Sequence, residues 1–190
     1  MRPDFCYNGM KLQKDLQAGR ESGVRVMGID PGIALVGFGI IDSIRNRLVP
    51  VQYGCIETEA GTPHDIRLKQ VYEAAGALMD KYKPDAAAVE KLFWSRNVTT
   101  AFNVSEARGV IVLAAAQRGI AVAEYTPMQV KQAIVGYGKA EKRQVQEMTR
   151  MFLNLPAVPK PDDTADALAV AVCHAHSAVL LNRLNGVNRT

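Results

Sequence analysis

The stretch Val24-Arg-Val-Met-Gly-Ile-Asp30 is followed by Pro31-Gly32 and then by Leu35-Val-Gly-Phe-Gly-Ile-Ile-Asp42. Short apolar runs that are rich in Val and Ile and joined by a Pro-Gly turn predict two adjacent antiparallel strands. A third run of the same kind, LVPVQYGCIETE, spans 48–59. Three strands joined by short connections predict an antiparallel meander at the start of the fold.

Helical and strand patterns alternate after this meander. Helices are predicted over 65–82, 97–118, 140–153 and 162–181, and strands over 86–93 and 121–126. This order predicts an α/β fold with a mixed five-stranded sheet flanked by helices. We expect one domain over 24–181, an N-terminal extension outside the fold over 1–23 and a C-terminal tail over 182–190.

Length and composition narrow the class of protein. The chain of 190 residues fits one domain, and it has no apolar run near the roughly 20 residues of a membrane helix, so we expect a soluble protein. Its first residues lack the pattern of a secretory signal, which predicts a cytoplasmic location. The three cysteines, Cys6, Cys55 and Cys173, are odd in number and scattered, which argues against a disulfide framework or a structural zinc site.

Basic residues are concentrated in the last third of the chain. The net charge is only +4, but residues 131–150 carry five basic and two acidic side chains. This pattern fits a surface that binds a polyanion, and it fits a solvated helix face equally well.

Four carboxylates are candidate ligands for a divalent cation. Asp30 ends the first strand, Glu90 lies in an apolar strand, and Asp163 and Asp166 share one face at the start of the last helix. Carboxylates on three separate segments favour magnesium or manganese as the bound ion. Zinc is disfavoured because Cys173, His174 and His176 have no second pair of His or Cys ligands elsewhere in the chain.

Each acid has a simpler interpretation when it is taken alone. Asp30 could cap a turn, Glu90 could point outward at a strand end, and Asp162 or Asp163 could cap the last helix. The spacing of Gly32 and Gly37 does not make a Walker motif, because Phe38 and Gly39 stand where Lys and Ser or Thr are required.

Five segments occur in the order found in the RuvC family of Holliday junction resolvases, and the chain resembles that family over 24–177. They are GIDPG with GFGII, VEKLFWSRN, EARGV, QVKQAIVGYGKAEKRQVQ and DDTADALAVAVCHAH. The resemblance implies a ribonuclease H-like fold and a homodimer that resolves four-way DNA junctions by paired symmetric nicks. It also implies a branch-migration complex of RuvA and RuvB as a partner.

The resemblance also implies roles for individual residues. Asp30, Glu90, Asp163 and Asp166 would hold two Mg²⁺ ions, with Mn²⁺ as a substitute, and Lys142 would support charge in the transition state. Asp162 is an additional acid. The residues expected to contact DNA are Phe93, Arg96, Asn97, Lys131, Lys142 and Arg143.

Two other functions remain open at this point. A protein that binds junctions without cutting them would use the same basic surface but would not need acids on three segments. A phosphotransferase of the actin and sugar-kinase fold also has an Asp-x-Gly turn after its first strand, but it needs a second nucleotide-binding half.

Overall fold

The computed structural model describes residues 5–7, 23–45, 47–91 and 98–187, with side chains for 23–45, 47–91 and 100–178. The strands are β1 (Phe5–Tyr7), β2 (Gly23–Asp30), β3 (Leu35–Ile44), β4 (Arg47–Glu57), β5 (Ala86–Glu90) and β6 (Ala121–Tyr125). The helices are α1 (His64–Tyr82), α2 (Val98–Ala116), α3 (Pro127–Val135), α4 (Lys142–Phe152) and α5 (Asp162–Val187). No helix in these ranges is long and apolar enough to cross a membrane.

The strands form one mixed sheet in the order β1-β4-β3-β2-β5-β6. β2, β3 and β4 make the predicted antiparallel meander, and β5 and β6 add to β2 in parallel. The five predicted strands are therefore confirmed. The sixth, β1, comes from the segment expected to lie outside the fold, and it pairs with β4 by placing Phe5, Cys6 and Tyr7 opposite Ile56, Cys55 and Gly54. For these three residues the expectation was wrong.

Two helices also differ from the sequence prediction. α5 continues to Val187, so much of the expected tail over 182–190 is helical. α3 was not predicted, although it has clear end signals. Thr126 and Gln129 form a capping box, Pro127 occupies the first turn, and Gly136 ends the helix in the left-handed conformation.

The sheet separates two apolar cores. α1 and α2 cover one face, where Met27, Ile29 and Phe38 pack against Leu78 and Ile111. α3, α4 and α5 cover the other, where Val26, Ala88 and Ile41 pack against Leu168 and Val145. Because successive residues of a strand point to opposite faces, the register assigns each strand residue to one of these two cores.

Candidate active site

Asp30 and Glu90 lie side by side at the carboxyl ends of two parallel strands. Ile29 pairs with Val89 in the β2–β5 register, so Asp30 and Glu90 are the next residues of each strand. Val26 and Ala88 belong to the core on the α5 side, and alternation along the strands places Asp30 and Glu90 on that same face. Both carboxylates are only partly accessible to solvent.

Glycines allow the first turns of α5 to lie directly on these strands. Gly28 pairs with Gly39, and Gly37 pairs with Asp30. A Cβ atom on Gly37 would lie 2.0 Å from the backbone oxygen of Asp163, and one on Gly28 would lie 2.1 Å from that of Ala167. No side chain fits at these distances, so the glycines bring Asp163 and Asp166 to the strand end that carries Asp30.

The charges at this site repel one another. Burial, and then the charges of Glu90, Asp166 and Asp163, raise the pKa of Asp30 to about 8. Burial raises the pKa of Glu90, with Asp166 adding to the rise. The pKa of Asp166 is also raised by burial, against the opposing effect of Lys142. A site whose acids resist ionisation in this way gains stability from a bound cation.

Lys142 provides a positive charge beside these acids. It is the first residue of α4, and its Nζ lies 2.8 Å from Oδ2 of Asp166 and 3.4 Å from Oδ2 of Asp162. Burial lowers the pKa of Lys142, but hydrogen bonding and attraction to Asp166 outweigh it and the net pKa is raised. The pKa of Asp162 is lowered, chiefly by a hydrogen bond from Lys160, so Asp162 differs electrostatically from the other acids.

A cleft of about 210 Å³ opens beside the acids. Glu90, Asp166, Lys131 and Lys142 provide its charged groups. Its remaining lining is apolar and consists of Pro127, Val130, Val145 and Ala169. Lys131 and Lys142 therefore place two positive charges in the lining of a cleft that also contains Glu90 and Asp166.

The four carboxylates are suitable ligands for a hard cation, but their side chains are not arranged as a complete metal site. Within the described ranges, no three His, Cys, Asp or Glu side chains converge closely enough to hold an ion as they stand. Asp166 instead forms an ion pair with Lys142. Carboxylate oxygens are nevertheless the ligands that Mg²⁺ and Mn²⁺ prefer.

Cys173, His174 and His176 have other contacts. Nδ1 of His174 lies 2.9 Å from the Tyr125 hydroxyl, and burial lowers the pKa of this histidine. The His176 ring packs edge-on against Phe152, and burial raises the pKa of Cys173 to about 11. These contacts give the three side chains structural roles in the packing of α5.

The structure brings together part of the predicted site. Asp30, Glu90, Asp163, Asp166, Lys131 and Lys142 gather at one end of the sheet, and Arg143 is exposed beside Lys142. Phe93, Arg96 and Asn97 lie outside the described residues. The sequence interpretation missed Gly28, Gly37 and Gly39. Their signal was present, because Gly at alternate positions of a strand marks a close backbone approach.

Comparison with known proteins gives consistent matches. The family described as crossover junction endodeoxyribonuclease RuvC matches residues 26–174. A protein of that name from Brevibacillus brevis is 57% identical over 166 residues, which are 87% of this chain and 100% of that protein. One from Desulfitobacterium hafniense is 55% identical over 161 residues, 85% of this chain and 98% of the relative.

Solved structures agree with this match. T. thermophilus RuvC in complex with Holliday junction substrate superposes with a TM-score of 0.76 at 33% identity, covering 83% of this chain and 96% of that one. The yeast mitochondrial Holliday junction resolvase Ydc2 gives a TM-score of 0.65 at 13% identity, over 86% of this chain and 84% of its own. The second likeness concerns the fold alone, which is the ribonuclease H-like fold expected from the sequence.

Proposed function

The chain belongs to the RuvC family of crossover junction endodeoxyribonucleases, and on that premise we propose that it cuts four-way DNA junctions by metal-dependent hydrolysis of phosphodiester bonds. The observation that carries this proposal is the meeting of Asp30, Glu90 and Asp166 on one face of the sheet, with the pKa of each raised. A protein that only bound junctions would gain nothing from partly buried acids that repel both one another and the phosphates of DNA.

Asp30, Glu90, Asp163 and Asp166 would hold two Mg²⁺ ions, with Mn²⁺ as a substitute. Bound there, the ions would supply an activated water as the nucleophile and would offset charge on the leaving 3′ oxygen. The products would then be 5′-phosphate and 3′-hydroxyl ends. Lys142, beside Asp166, would offset the negative charge that the phosphate gains in the transition state.

DNA binding would come from basic residues around the cleft. Lys131 lies in its lining, Arg143 is exposed next to Lys142, and both can neutralise backbone phosphates. Phe93, Arg96 and Asn97 remain predicted DNA contacts. For Phe93 we propose stacking on a base that is unpaired at the branch point.

A homodimer would supply the second active site that paired nicks require. The stretch 110–116 of α2 is apolar without a break, yet the helix is not buried on all sides within one chain, since Phe102 is 65% exposed and Leu113 is 50% exposed. Ala107 and Ile111 on the opposite side are fully buried. Large apolar side chains exposed on one side of this helix fit an isologous interface with a second copy. Partnership with RuvA and RuvB and a cytoplasmic location also remain predictions.

One experiment tests the proposed reaction. The purified protein is incubated with a mobile four-way junction and with a linear duplex of the same sequence, with and without Mg²⁺. We expect cutting of the junction alone, with Mg²⁺ only, at symmetric positions on two strands of like polarity. Junction binding without any cutting in Mg²⁺ or Mn²⁺ would identify a binding protein instead.

A further inference from the structure

Asp162 and Asp166 lie one turn apart on α5 and contact the same lysine. The Nζ atom of Lys142 is 2.8 Å from Oδ2 of Asp166 and 3.4 Å from Oδ2 of Asp162. Lys142 thus already lies between two alternative acidic partners. The preferred one, Asp166, is also one of the four acids of the proposed metal site.

Asp162 is poorly placed to bind the metals itself. Its side chain is 42% exposed, against 27% for Asp166, and both of its oxygens face lysines. Oδ1 accepts a hydrogen bond of 2.6 Å from Lys160, while Oδ2 faces Lys142. Of the other candidate acids, Asp166 shares only Lys142 with it, while Asp30 and Glu90 lie at the sheet end.

Binding of a cation to Asp166 would displace Lys142. The carboxylate oxygens would be shared with the cation, and like charges would repel the ammonium group. The Lys142 side chain is 55% exposed, and a released lysine regains rotamer entropy in solvent. Without a second partner, Lys142 would leave the site when a positive charge is needed there.

We propose that Asp162 is a positioning residue, which holds Lys142 at the edge of the site once Asp166 has turned to a cation. This inference rests on the proposed function, because it assumes that Asp166 binds a cation. Asp162 acts only through Lys142. Lys160 competes with Lys142 for the same carboxylate, since it donates to Oδ1.

Chemical labelling of Lys142 tests the inference without measuring activity. The full-length protein is treated with a trace of acetic anhydride, with and without saturating Mg²⁺, and labelling of each lysine is measured by mass spectrometry. Lys69, which lies on α1 and pairs with Glu73 at 3.8 Å, serves as the internal standard. Loss of an acidic partner lowers the pKa of an amine and increases its labelling.

The parent protein and the two Asp162 variants are compared by how strongly Mg²⁺ increases the labelling of Lys142. Mg²⁺ should increase Lys142 labelling less than about twofold in the parent and about fivefold in Asp162→Asn, with Asp162→Glu near the parent. Lys160→Met should lower Lys142 labelling in Mg²⁺, because it removes the competing lysine. Equal Lys142 labelling of the parent and Asp162→Asn in Mg²⁺ would overturn the inference.

Single-turnover cutting provides the second measurement. Asp162→Asn should slow cutting about three- to fivefold at an unchanged half-saturating Mg²⁺ concentration, as expected for loss of an exposed ion pair. In a Lys142→Ala background it should have no further effect. A tenfold rise in the Mg²⁺ requirement would instead make Asp162 a metal ligand, and equal slowing in both backgrounds would indicate a general structural role. If the parent fails to cut although Lys142 labelling in Mg²⁺ differs between the parent and Asp162→Asn as expected, the proposed function fails and the positioning inference stands.

Discussion

The two faces of the sheet bury different chemistry. On the face covered by α1 and α2, the core is apolar, and the buried Arg25 at its edge is neutralised by Asp42 at 2.7 Å. On the face covered by α5, an apolar core is bordered at the sheet end by glycines that lie against α5 and by acids with raised pKa values. Both cores stabilise the fold, but the α5 face also holds acids in an unfavourable arrangement that a cation would relieve.

Removing an acid from the α5 face should have the largest effect on function. Asp30→Asn or Glu90→Gln should slow junction cutting at least about 1,000-fold in single-turnover assays, since each would provide part of the metal site. Junction binding in gel-shift assays should persist, because phosphate contacts come from Lys and Arg. Asp80→Asn, which breaks an ion pair between α1 and Arg118, is the control and should cut normally. Cutting by either site variant within about tenfold of the parent would refute the metal-site assignment.

The close approach of α5 to the sheet can be tested with one methyl group. Gly37→Ala would place a Cβ atom 2.0 Å from the backbone oxygen of Asp163. We expect the free energy of unfolding to fall by about 3 kcal/mol in urea denaturation, together with loss of Mg²⁺-dependent cutting. Gly109→Ala on α2, where a Cβ atom meets nothing within 4 Å, should gain about 0.5 kcal/mol. Equal stability of the two variants would contradict the close contact.

The exposed apolar side chain of Leu113 on α2 allows the proposed dimer to be tested separately from the metal site. Leu113→Arg should dissociate the proposed dimer in sedimentation experiments and abolish paired nicking of a supercoiled cruciform, since a charge would lie in an apolar interface. Val112→Arg should act similarly, although Val112 is half-buried in the single chain. Met151→Arg replaces an apolar residue of similar exposure on α4 and is the control. A monomer at micromolar concentration that still makes symmetric paired nicks would exclude the dimer.

The pH dependence of stability tests the raised pKa of Asp30 on the α5 face. The pKa of Asp30 is about 8 in the folded protein and near its ordinary value of 3.8 in the unfolded chain. Its contribution to stability is therefore complete below about pH 4 and is lost as the pH rises through about 8. The metal-free protein should lose stability over this interval, and Asp30→Asn should lose less. Mg²⁺ binding should tighten up to about pH 8, because Asp30 must release its proton, and calorimetry in buffers of different ionisation enthalpy should detect that release.

Removal of the N-terminal segment should have the smallest effect. A chain that starts at Val24 lacks β1, the edge strand, which pairs with β4 through three residues in the described part of the chain. We expect cutting within about twofold of the parent and a loss of under about 1 kcal/mol in urea denaturation. A larger loss would mean that the segment packs on the domain beyond the pairing of β1.

The long elements could be predicted from sequence because they depend on local patterns. The meander, the parallel strands and the long helices followed from apolar periodicity and turn residues over about 24–181. The short α3 was missed despite its capping box, and β1 could not be predicted because three residues carry no periodic signal. The end of α5 was placed six residues too early at Leu181 rather than Val187.

The sequence alone determined which acids were candidates and in what order they occur, since carboxylates in apolar strands and at a helix start are visible in the chain itself. Only the tertiary structure decided that Asp30, Glu90 and Asp166 share one face, and that Asp162 turns away from them toward Lys142 and Lys160. The physical reason is the packing of α5 on Gly28, Gly37 and Gly39. This packing depends on the register of β2 and β3 and on the approach of α5, which lies more than 100 residues later in the chain. No local sequence pattern encodes contacts between segments so far apart.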